Sequence, residues 1–181
     1  MAENLNYDYK IDGVSHGNWC YNNEPDSCAK YGRLYTWAAA MDSANTRCGY
    51  GYYTACTASS GKVRGICPTG WHLPCVAEWD TLFAAVGGVD SAGTKLKSTS
   101  GWYNNDNGTD AYGFSALPSG GGDGRIFGSA GFDANFWSSS EVDQDYAYYY
   151  AYYVYLYYYY ADAKQDSSYK YSGFAVRCVK D

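Results

Sequence analysis

Residues 146–160 read YAYYYAYYVYLYYYY, with tyrosine at eleven of the fifteen positions. Tyr169 and Tyr171 follow, so thirteen of the chain's 23 tyrosines lie within 26 residues. A core has no use for so many phenols, because each buried hydroxyl needs a hydrogen-bond partner. At least one face of the segment is therefore expected to reach outward. Strand geometry separates the two faces: positions 146, 148, 150 and 152 are all tyrosine, whereas 147, 149, 151 and 153 alternate Ala and Tyr. The small alanines suit the side packed on the domain, and the all-tyrosine side suits solvent. A turn or bulge is expected around Ala161–Ser168. Rings packed on one another as a ladder would be a purely structural use of the segment. Recognition is the functional one, since tyrosine offers rigid contact area, a polar tip and little rotamer entropy to lose. On that reading the ligand-contacting residues are Tyr146, Tyr148, Tyr150, Tyr152, Tyr155, Tyr157, Tyr159, Tyr169 and Tyr171.

Outward from this stretch, Ala134–Ser140 (ANFWSSS) and Gly173–Lys180 (GFAVRCVK) read as further strands, and Asn4–Ile11 alternates well enough for an early one. The first helix is expected over Ala29–Ala44, where Leu34, Trp37, Ala38 and Met41 recur at three- and four-residue intervals. The second is expected over Val76–Val86, with Trp79, Leu82, Phe83 and Val86 on its buried side and Gly87-Gly88 as its stop. Ser91–Gly131 is Gly-, Asn- and Ser-rich and reads as a long loop region with small strands. Helices early and strands late predict an α+β domain spanning 1–181, two helices on small antiparallel sheets with long loops.

Composition narrows the function. The net charge of −6 and the absence of any Lys/Arg run exclude the basic footprint of a nucleic-acid binder. No apolar run approaches a membrane span, so no membrane insertion by this chain is expected. The start, MAENLNYDYK, lacks signal-peptide character. An aromatic content of 19% argues against disorder despite the scarcity of aliphatics.

The seven cysteines have a rhythm, since Cys20/Cys28, Cys48/Cys56 and Cys67/Cys75 are each eight apart. None forms CxxC, which argues against structural zinc. The turn-rich segments CYNNEPDSC and CGYGYYTAC suit short disulfide loops, Cys20–Cys28 and Cys48–Cys56. Spacing alone leaves Cys67 open to Cys75 or Cys178. Apolar, strand-like surroundings at Cys67 and Cys178 favour that pair, which leaves Cys75 as a free thiol at a helix N-terminus. Such a thiol is either a reactive group or a small cap residue in substitution. Three disulfides imply an oxidising compartment and an exported or cell-surface protein.

Six separated motifs occur in order: MAENLNY, YGRLYTWAAAM, GICPTGWHLP followed by Glu78-Trp79, AYGFSALP, FWSSSE and GFAVRCVKD. Together they closely resemble the Fibrobacter succinogenes major paralogous domain over essentially the whole chain. That family is similar to C-type-lectin-like folds, among them the variable proteins of diversity-generating retroelements and relatives of formylglycine-generating enzymes. The resemblance implies an exported bacterial protein, often a lipoprotein or surface module, with its variation concentrated in the last third, here about 144–172. It supplies no established activity. Two departures stand out: Cys75 occupies a place where the family usually has Ser, and this sequence starts at MAENLNY, which in the family usually follows a short upstream strand. The residues of the Tyr segment are also reachable from an Asn codon by adenine substitutions alone, the mark that adenine-directed mutagenesis would leave.

Catalytic and metal constellations are weak. His72, between Trp71 and Leu73, reads as a buried hydrogen-bonded residue rather than a base, and His16 has no partner nearby in sequence. Asp143/Asp145 and Asp106/Asp110 read as loop acids, and Glu24-Pro25-Asp26 as a turn rather than a sugar-binding tripeptide. DNGTD (106–110) offers possible calcium oxygens but also ordinary turn chemistry, and Asn107-Gly-Thr matches a glycosylation sequon. The expectation is a non-catalytic, monomeric binding module without metal or cofactor, its partner an unknown protein or glycan at a cell surface. The alternatives are an assembly domain of a larger surface protein, or an enzyme using Cys75.

Overall fold

A computed structural model describes residues 3–46, 62–142 and 146–181. In chain order the first part contains β1 (Lys10–Ile11), β2 (Val14–Ser15), β3 (Asn18–Trp19), α1 (Pro25–Tyr31), β4 (Leu34–Tyr35), α2 (Trp37–Ala40) and α3 (Ser43–Thr46). The middle contains β5 (Trp71–His72), α4 (Val76–Ala85), α5 (Val89–Leu96), β6 (Gly121–Gly122) and β7 (Phe127–Gly128). The longest strands come last: β8 (Asp133–Glu141), β9 (Tyr150–Tyr157) and β10 (Lys164–Tyr169), followed by β11 (Val179–Lys180). The result is an α+β arrangement of short helices and small antiparallel sheets. The main sheet has the order β10-β9-β8, so the tyrosine strand is its centre. The pairs β1–β2, β3–β4, β5–β11 and β6–β7 are two-stranded.

The expected first helix is three pieces. Gly32 ends α1 at φ +75, where a β-carbon would overlap Asn4 and the chain beside Leu5. Leu34 and Tyr35 then pair with β3, and Tyr35 also bridges to Phe174. Thr36 starts α2 by accepting from the Ala39 N–H at 3.2 Å. Leu34, Trp37 and Met41 are buried as the spacing predicts, but on a strand, a helix and a turn. Tertiary pairing overrode the helical period. The early strand is likewise reduced to β1, although Leu5 and Tyr9 are core residues.

The second helix matches its expected span closely, ending at Ala85 with Val86 as its cap. The chain then starts another helix, α5, where a loop was expected from Ser91 onward. Gly93 within α5 lowers helix propensity. It is required there because any β-carbon would overlap the Asp162 carbonyl in the β9–β10 turn.

Two core clusters flank β8. One holds Tyr35, Trp37, Leu73, Trp137 and Ala151; the other holds Trp79, Phe83, Phe136, Val154 and Leu156. Alternation along β8 sends Ala134 and Phe136 to the second cluster and Trp137 to the first. Their indoles are satisfied: Trp37 Nε1 donates to Ser138 O at 2.8 Å and Trp137 Nε1 to Tyr35 O at 2.7 Å. Disulfides Cys20–Cys28 and Cys67–Cys178 are present, with Cα atoms 4.8 and 5.9 Å apart. Cys75 is free and half-buried at the N-cap of α4. Cys48–Cys56 lies outside the described residues, as does Asp143/Asp145.

Candidate binding surface

The central strand β9 is covered on both faces, but at opposite ends. Ala151 and Tyr153 point to the cluster around Trp137, where the Tyr153 ring lies 4.8 Å from Phe174 and 6.4 Å from Trp137. Val154 and Leu156, on the opposite face, are buried beneath α4 and α5 with Phe136 and Trp79. The open parts of the two faces are therefore the Tyr150–Tyr152 end of one and the Tyr155–Tyr157 end of the other. A single inward face and a single all-tyrosine outward face were expected. The structure corrects this, because each face of a central strand is covered by a different element.

Tyr146–Tyr149 form a turn rather than strand, so the alternation begins only at Tyr150. Tyr149, expected to face inward, is exposed, while Ala147 is buried. The expected turn at Ala161–Ser168 is in its second half the strand β10, whose Tyr169 pairs with Tyr150 and Ser167 with Tyr152. None of the nine expected contact residues is buried. They fall into two groups. Tyr146, Tyr150, Tyr169 and Tyr171 form a continuous row, with ring centroids 6.2, 4.4 and 5.0 Å apart in that order. Tyr152 lies beside this row on the same strand face as Tyr150, and Tyr148 contacts Tyr149 at 4.7 Å. Tyr155, Tyr157 and Tyr159 belong to the other end, where Tyr157 meets Tyr160 at 5.6 Å and Tyr159 is 70% exposed.

Ring orientation decides what the first row offers. Tyr169 and Tyr171 are stacked at 14° and Tyr150 is tilted 33° from Tyr169, so Tyr169 lies between two rings and the row presents chiefly edges and hydroxyls. The Tyr150 hydroxyl is pushed up to about 12, first by its hydrogen bond with Tyr169, then by burial and by neighbouring phenols. It stays neutral at physiological pH, able both to donate and to accept.

Two buried lysines hold the tyrosine-bearing backbone, and sequence reasoning missed both. Lys170 is 0% exposed; its ammonium pairs with Glu141, donates to Ala147 O and sits 4.1 Å from the Trp37 ring centroid. Burial depresses its pKa, against the opposing pull of Glu141. Lys97 reaches the carbonyls of Tyr158 at 2.8 Å and Tyr160 at 3.1 Å, with Asp106 and Tyr157 at 3.4 Å. Its pKa is also depressed, chiefly by burial. Both cations engage main-chain oxygens of the segment, so they fix its path whatever side chains it carries. Tyr103 and Phe132 back the second group, lying 5.4 and 5.5 Å from Tyr158.

The other candidate groups are structural. His72 is buried with Nε2 2.6 Å from Glu78 Oε1 and Nδ1 2.7 Å from Asp181 Oδ1. For Glu78, burial acts upward, but the Cys75 N–H and His72 outweigh it and hold the carboxyl below its ordinary value. Glu24-Pro25-Asp26 is the start of a helix rather than the expected turn: Glu24 stands at the N-cap position of α1, without a side-chain cap bond, and Pro25 opens it. Asn107 Oδ1 accepts from the Trp102 N–H, and the Asp110 carboxylate accepts from the N–H and hydroxyl of Ser115. These are turn roles. Among the described residues no group of three His, Cys, Asp or Glu is placed to hold a metal ion, and no helix is long and apolar enough to cross a membrane.

The model of the Fibrobacter succinogenes major domain matches residues 1–180. Comparison with curated proteins and with solved structures returns no match.

Proposed function

We propose that this chain, which belongs to the Fibrobacter succinogenes major domain family, is a non-catalytic binding module that recognises a protein partner through its tyrosine row. The observation that carries this is the row Tyr146–Tyr150–Tyr169–Tyr171, four phenols in ring contact on the outside of a rigid sheet. A pyranose needs an open ring face. Edges and hydroxyls suit the mixed polar and apolar surface of a protein, as in antibody paratopes. Anchoring through carbonyls by Lys97 and Lys170 leaves side chains free to vary, which fits a C-type-lectin-like scaffold carrying a variable segment, whether diversified by a retroelement or by gene expansion. Two disulfides are compatible with an extracellular location, and we place the module outside the cell. The contacts of His72 do not favour the enzymatic alternative, since both its ring nitrogens face carboxylates.

The test is binding to arrays of cell-surface proteins and of glycans, with wild type and a Tyr150→Ser/Tyr169→Ser/Tyr171→Ser variant. A protein hit weakened at least about tenfold in the variant supports the reading, as truncating aromatic anchors does elsewhere. No protein hit, glycan hits alone, or equal binding by the variant would overturn it. Light scattering covers the assembly alternative: self-association abolished by the triple substitution would make the surface a contact between copies.

A further inference from the structure

On the other face of the sheet lies a cleft of about 500 Å³, between β8–β9 and the glycine hairpin β6–β7. That volume is within the range of ligand sites. Asp133 and Asn135 line it from β8 and Gly121 and Gly122 from the hairpin, and the Tyr153 and Phe174 rings, in contact at 4.8 Å, line it together. The hairpin side is glycine for a packing reason: a β-carbon on Gly122 would overlap the Ile126 carbonyl at 2.8 Å, and one on Gly121 would crowd the Phe174 ring at 3.0 Å.

Two of the polar groups in the cleft, Asp133 and Asn135, are left as acceptors. Asn135 is only 8% exposed, yet both hydrogens of its amide are spent, on Gly120 O at 3.2 Å and Asp133 Oδ1 at 2.8 Å. Its Oδ1 has no partner among the described residues. Asp133 accepts from Asn135 and Ser129, and among the described residues no cation pairs with it. The charged and titratable groups around it do not neutralise it. Tyr157 is opposite it in register on β9, Tyr153 lines the same cleft, and Asp123 lies at the hairpin edge. Arg125 on that hairpin is exposed and bonds Asp123 through its backbone N–H. Lys164, the nearest cation on β10, is turned to Asp162 at 3.5 Å and to the Tyr160 ring at 4.5 Å.

An aromatic wall, a half-buried carboxylate without a cation among the described residues and an open amide oxygen together call for a planar donor-rich cation. We infer that this cleft is a subsite for a guanidinium group, the side chain of an arginine presented by a protein partner. The guanidinium would donate to Asp133 and Asn135 Oδ1 while its plane lies along the Tyr153 and Phe174 rings. Burial also pushes the Asp133 carboxyl up to about 6, against the hydrogen bonds from Asn135 and Ser129. A bound cation would favour its ionised form, so occupancy should weaken as pH falls below that value. The inference rests on the protein-binding reading only for its biological occupant. The chemistry of the cleft is tested separately, with a small probe.

The probe is N-acetylarginine amide, titrated into isotopically labelled full chain and followed by NMR shifts of residues 120–135 and 153. N-acetylcitrulline amide, the neutral near-isostere, and a methyl glycoside are run in parallel. The expected result is saturable millimolar binding of the arginine probe, about tenfold weaker for citrulline and about tenfold weaker in Asp133→Asn, as loss of one charge partner implies. Binding should also fall progressively from pH 7 to pH 5. Asp123→Asn, on the exposed edge, is the second variant and should weaken binding only about two- to threefold. Equal binding of citrulline, preference for the glycoside, no saturable binding, or indifference to Asp133→Asn would each overturn the assignment. Unchanged probe binding in the Tyr150/Tyr169/Tyr171 variant separates failure here from failure of the tyrosine-row reading.

Discussion

Asp133 shows at the level of a single residue how a binding group can work against the fold that holds it. Its carboxyl is pushed up to about 6 by burial, opposed by Asn135 and Ser129. A raised folded-state value means that the protonated form is favoured by folding. This contribution is fully present below the unfolded value near 3.8 and is lost as pH rises through about 6. The substitution Asp133→Asn should therefore stabilise the protein at pH 7, by on the order of 1–2 kcal/mol after solvent screening. It should also flatten the stability profile between pH 4 and pH 6. Urea unfolding of both proteins across that range measures it, and a variant less stable at pH 7 would show that the ionised carboxylate supports the fold. Stability gained and ligand lost at one position is the expected signature of a functional group. The signal was present in the sequence, since Asp133 and Asn135 are polar at alternate positions of a strand whose other side, Ala134 and Phe136, is apolar. It was passed over because alternation alone does not say whether such a face meets water or a cleft.

At the scale of elements, the β9–β10 turn depends on one side chain from α5's C-terminal boundary. Lys97 donates to carbonyls of this turn and lies against the Trp102 ring at 5.2 Å. Lys97→Met keeps most of the volume but leaves those carbonyls without their donor, a loss expected to cost about 2–4 kcal/mol. Hydrogen exchange should localise the loosening to residues 157–163 and leave β8 protected. Uniform loosening of the whole sheet would instead make Lys97 a general core residue. The neighbouring Gly93 belongs to the same device, since only a residue without a side chain lets α5 approach Asp162. This helix was invisible to pattern reading because its defining contact is to a segment some seventy residues away. By contrast α4, with breakers, cap and apolar spacing all local, was legible almost to the residue.

For the whole molecule, the Cys67–Cys178 bond ties the last strand to the middle of the chain across a sequence separation of 111, against 8 for Cys20–Cys28. Replacing the long-range pair by serine should cost about 4–5 kcal/mol in the chain-entropy account, and the short pair about 2–3. Denaturant unfolding of the two double variants checks this order, and an equal or inverted loss would show that residual structure already restrains the unfolded chain. The ordered motifs carried the family, and local pattern was enough to determine the α+β class, the strands at 134–140 and in the tyrosine segment, and the helix at α4. Each of these follows from residue type and spacing, because capping, alternation and chain breaking act over a few residues. The tertiary structure alone decided that the tyrosines divide between two faces, that buried lysines grip their backbone, and that Asp133 and Asn135 open onto a cleft. The reason is physical: what covers each end of a central strand is set by elements brought to it from afar, and a one-dimensional period carries no record of them.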